Sequence, residues 1–103
     1  MKRRQMIERR IASAERRMDK AKEEREIGAY FAAALLWVKA CDDEYYIRKP
    51  AKEWVNRLQA TISCIDAMLE DEKNPATASV LNAAWREATE DLLATIVTEG
   101  GAA

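Results

Sequence analysis

The stretch 27–41, IGAYFAAALLWVKAC, constrains this chain more than any other part of it. It carries no charge until Lys39, and the acidic run Asp42, Asp43, Glu44 follows at once. The uncharged part, 27–38, makes about 18 Å of helix at roughly 1.5 Å per residue, well short of the ~20 apolar residues that span a bilayer. A membrane span is therefore not expected. On a helical period of about 3.6 residues, Ile27, Phe31, Leu35, Val38 and Cys41 share one face, and Tyr30, Ala33, Ala34 and Trp37 share a second. Ala29, Ala32 and Leu36 fill most of what remains, and a helix apolar nearly all round has to be covered on nearly every side. The pattern thus predicts the most buried helix of the fold, with Trp37 in the core beside Trp85.

Strand signals are missing elsewhere. No β-branched alternation runs over four or more residues, and no Asn-Gly or Asp-Gly turn occurs. With only three Gly and two Pro among 103 residues, the chain reads as a single all-α domain.

The segment 1–26 is basic. It holds ten Lys or Arg against six Asp or Glu, whereas the rest holds seven against twelve. Glu8-Arg9-Arg10-Ile11 recurs seven residues later as Glu15-Arg16-Arg17-Met18, and Ile7, Ile11, Ala14, Met18 and Ala21 alternate in spacings of four and three, the seam of a coiled coil. Neither Pro nor a capping residue separates this arm from the apolar stretch. Gly28 is the lone candidate breaker, and a mid-helix Gly costs only ~1 kcal/mol relative to Ala. One long helix to about residue 46 is the favoured expectation, and a four-helix bundle with Gly28 as a left-handed cap is the alternative.

Pro50 ends that helix and opens a second one over 50–73, whose apolar face is Ala51, Trp54, Val55, Leu58, Thr61, Ile62, Ile65, Met68 and Leu69. Asn74 as N-cap and Pro75 at the first helical position open a third over 75–99, with Leu81, Trp85, Ala88, Leu92 and Ile96 on its apolar face. These two should form an antiparallel hairpin. The expected domain is 1–99, divided into the arm 1–26, the central helix 27–47 and the hairpin, and the tail 100–103 is expected to be flexible.

Little in the sequence points to catalysis. Without histidine the commonest general base and the Glu-x-x-His di-iron motif are both missing, and so few glycines cannot build a phosphate loop. Cys41 and Cys64 stand apart from any CxxC, so they read as reduced thiols, and no cofactor or metal is expected. Asp42-Asp43-Glu44 reads as a solvated helix end, since successive helical residues point about 100° apart and cannot converge on a cation.

Two functional readings follow. The first is a non-enzymatic protein-interaction module, a homodimeric regulator, inhibitor or adaptor that pairs through Ile7, Ile11, Ala14, Met18, Ala21, Ala29, Ala32 and Leu36. The second is a nucleic-acid-binding protein whose Arg3, Arg9, Arg10, Arg16 and Arg17 track a phosphate backbone. MKRRQMIERR leads into a charged helix and not an apolar leader, which makes the cytoplasm the expected compartment.

Overall fold

The computed structural model describes residues 3–97. It consists of four helices: α1 (Arg3–Glu23), α2 (Ile27–Tyr46), α3 (Ala51–Asp71) and α4 (Pro75–Thr95), with no strand among the described residues. The expected tail 100–103 lies outside them. Connections of three or four residues force consecutive helices to run antiparallel, the up-down-up-down arrangement of a four-helix bundle.

The expected continuity of the first helix is corrected here, and the break is not at Gly28. α1 ends in a Schellman motif: Glu26 N–H donates to the Ala21 carbonyl at 2.9 Å and Arg25 N–H to that of Lys22 at 3.2 Å. Arg25 holds the left-handed position, at φ 57°, where glycine is the usual occupant. A side chain there is strained by ~1–2 kcal/mol, so the reversal has to be held by what it brings together. It folds α1 back along α2. Met6, Ile7, Ala14 and Ala21 of α1 are thereby buried. Gly28 lies in the first turn of α2 with no positive φ.

The other two turns follow their local chemistry. Pro50 occupies the N-cap of α3, its carbonyl accepting from Glu53 N–H at 2.9 Å. The Asn74 side chain accepts from Ala76 N–H at 2.9 Å, so that α4 starts at Pro75 with a donor satisfied.

α2 packs against all three other helices and makes its closest diagonal approach to α4. Both carry rows spaced alternately by four and three: Ala29, Ala33, Leu36, Ala40 and Asp43 on α2, and Thr77, Leu81, Ala84, Ala88, Asp91 and Thr95 on α4. All of these are buried, and the small residues let the two backbones come together.

The core has two apolar halves. Met6, Ile7, Trp54 and Leu58 fill one, with Ile11, Tyr46, Ile47 and Leu92 against them; Leu36, Ile65, Leu81 and Ala84 fill the other, backed by Met68, Leu69 and Trp85. Trp54 is fully buried, its Nε1 donating to Thr95 Oγ1 at 3.2 Å. Trp37 is not in the core beside Trp85. It is half-buried at the surface, where its Nε1 donates to Glu15 Oε2 at 3.2 Å.

Between the halves lies a charged layer. Asp43, fully buried, accepts from Arg10 Nη1 at 2.7 Å on one carboxylate oxygen and from Arg57 Nε at 3.0 Å on the other. Arg57 also pairs with Asp42. Asp43 is therefore not part of a solvated helix end but a link between α1, α2 and α3.

Candidate interaction surface

Three neighbours cannot cover a helix that is apolar on every side, and the side left open on α2 is its bulky one. Ile27 is 71 % exposed, Phe31 66 %, Leu35 42 % and Val38 55 %. Their spacings of four, four and three place them on one face, opposite the alanine row that meets α4. The usual order of a helix is thus reversed, with small residues inward and large ones outward. Together these four side chains leave on the order of 500 Å² open, near the upper end of what soluble monomers tolerate in one patch.

Polar contacts to the neighbouring helices flank the face. On one side Trp37 is tied to Glu15 of α1, and on the other Lys39 Nζ lies 3.8 Å from Cys64 Sγ of α3. Tyr30 meets Phe31 edge to face at 6.1 Å, which restricts the Phe31 ring. Beyond Val38 the same face continues to Asp42, half-exposed and paired with Arg57, and to Tyr45 at 66 % exposure. Tyr45 packs on Tyr46 at 5.2 Å and under Lys49 Nζ at 5.0 Å. Burial, with Glu44 and Glu15 nearby, pushes the Cys41 thiol up from its ordinary value, so at neutral pH it stays protonated and weakly nucleophilic.

The interface residues expected from the sequence lie elsewhere. Ile7, Ala14, Ala21, Ala29 and Leu36 are buried within the chain, and Ile11, Met18 and Ala32 are half-buried, Ile11 and Ala32 against the core clusters. The seam of α1 is satisfied by its own bundle, because the Schellman reversal brings α2 to it. The apolar row left open to solvent is Ile27, Phe31, Leu35 and Val38.

The arginine stripe is likewise taken up. Arg3 donates to the Lys49 carbonyl, Arg9 pairs with buried Asp91, Arg10 with Asp43, and Arg17 with Glu87 at 3.5 Å. Arg16 remains exposed. Arg9, Arg10 and Arg17 are thus paired with carboxylates of α2 and α4, which a phosphate backbone would have to displace.

Asp91 carries its own strain. Its Oδ2 has no hydrogen-bond partner, and burial pushes its pKa up to about 6 against the pull of Arg9 and Arg10, with Glu87 pushing the same way as burial. Asp43 is also raised: burial outweighs both of its arginines. Among the described residues no three His, Cys, Asp or Glu side chains gather to hold a metal ion, and no helix is long and apolar enough to cross a membrane.

Compared with protein-family models, with curated proteins and with solved structures, the chain matches none.

Proposed function

We propose that this chain is a non-enzymatic protein-interaction module, a small homodimeric regulator, inhibitor or adaptor that makes its contact through the open face of α2. The observation that carries this reading is the exposure of Ile27, Phe31, Leu35 and Val38 in one row on a helix whose buried side is alanine. Such a row is expensive to leave in water, at roughly 25 cal/mol per Å² of apolar surface. Two copies of it, with Ala34, Cys41 and Tyr45 at the margins, approach the roughly 1,200 Å² at which standard-sized interfaces begin.

Sedimentation equilibrium over a hundredfold range of concentration tests the reading. A mass that rises from monomer to dimer is the expected result. A monomer at every concentration removes the homodimer.

A further inference from the structure

Resting on the reading of the α2 face as the contact surface, we infer that its occupant is a second copy of the chain with the two α2 helices antiparallel, Ala34 and Leu35 at the two-fold axis, and Asp42 of each copy at the start of the other α2.

The register follows from the row itself. A two-fold axis between Ala34 and Leu35 sets Phe31 opposite Val38 twice, so that the largest side chain of the row meets one of the smallest. The same axis sets Asp42 opposite Ile27. That end of α2 lacks a cap of its own: Glu26 makes no side-chain bond to it, and the first turn contains no acidic residue. A carboxylate delivered by the partner would meet open N–H groups and the positive end of the helix dipole.

Other pairings fail on the same residues. Sliding by a turn one way sets Asp42 against Phe31, burying a charge on an aromatic ring. A slide of about a turn the other way sets Asp42 near Glu24. A parallel pair sets Asp42 against its own mate, Lys39 against its own mate, and the two helix dipoles side by side in the same sense. In the antiparallel register Asp42, which Arg57 already holds within its own chain, faces open N–H groups of the partner helix and not a ring or a like charge.

Cysteine trapping distinguishes the antiparallel pair from the parallel one. In a Cys41→Ser, Cys64→Ser background, Ala34→Cys and Tyr45→Cys are each treated with a short bismaleimide, and the mass is followed by sedimentation. The antiparallel pair predicts efficient cross-linking of Ala34→Cys and none of Tyr45→Cys, whose mates stand about 30 Å apart at roughly 1.5 Å per residue. Cross-linking of both variants means a parallel pair and overturns the inference while leaving the interaction surface intact. A dimer in which neither cross-links places the contact off the α2 face and overturns the inference and the choice of surface together. A monomeric background protein in sedimentation means the proposed homodimer itself has failed.

Discussion

Asp43 receives Arg10 Nη1 at 2.7 Å in a layer closed to solvent, with Asp43 0 % and Arg10 7 % exposed. The pair joins α1 to α2 across the interior, and Arg57 completes it from α3. Buried pairs of this kind add little net stability over a well-packed apolar substitute, yet breaking one strands the other charge. Asp43→Ala should therefore destabilise the fold by ~3–5 kcal/mol in urea denaturation, because Arg10 is left without its carboxylate. Arg10→Met combined with Asp43→Leu should lose clearly less than the two single changes summed. An additive result would show that the two side chains do not act as a pair.

Stability should fall as pH rises through about 6. Asp91 sits at about 6 in the fold and near 3.8 as its ordinary value, so the folded state binds its proton more tightly than the unfolded chain does. The contribution is present at acid pH and lost above about 6; Asp43 is shifted in the same direction. Between pH 5 and pH 7.5 the loss from Asp91 alone is about 1–1.5 kcal/mol. Asp91→Asn should flatten the urea midpoint against pH over that interval, and a slope that persists unchanged in this variant would assign the effect to another group.

Gly28 and Thr77 should be coupled. A Cβ on Gly28 would come within 2.5 Å of Thr77 Oγ1, a buried hydroxyl with no hydrogen-bond partner. Gly28→Ala should accordingly lower the melting temperature, because Thr77 has to turn away. With Thr77→Ala in place the same change should stabilise by up to ~1 kcal/mol, the helix-propensity gain of Ala over Gly. Equal effects of Gly28→Ala in both backgrounds would contradict the contact.

Trp54 and Trp37 should separate by position. Trp54→Ala removes a fully buried indole and its bond to Thr95, and should cost ~3–5 kcal/mol. Trp37→Ala removes a half-buried ring and a bond to Glu15, so its loss in the same denaturation should be well under half of that.

The sequence signals that survived are those with local chemistry. Asn74-Pro75 marks the start of α4 because a side-chain acceptor and a ring-locked φ act within one turn. Arg25 carried no such signal: its left-handed φ is imposed by packing of α1 on α2, and an arginine does not announce it. The orientation of α2 was hidden for a different reason. A segment apolar on every face has no preferred side in its periodicity, and only the close approach of α4 selects the alanine row for the interior. The same all-round apolar pattern put Trp37 in the core beside Trp85 but could not say which way either ring faced. Asp43 was legible in principle, since it continues the row Ala29, Ala33, Leu36, Ala40 at a spacing of three, and Arg10 likewise falls between Ile7 and Ala14. A charge on a buried row is the sign of a buried pair, and the run of three acids around Asp43 masked it.

A charge placed on the open face of α2 shows whether that face makes the contact between copies. Phe31→Asp combined with Leu35→Asp should leave helical circular dichroism close to that of the unaltered chain, because neither residue belongs to the buried core, while the urea midpoint falls only by the stabilisation that dimerisation adds. In sedimentation equilibrium the unaltered chain should reach the dimer mass and the doubly substituted chain should remain a monomer at the highest concentration reached. A substituted chain that still dimerises with unchanged affinity would mean that the open face of α2 is not the contact.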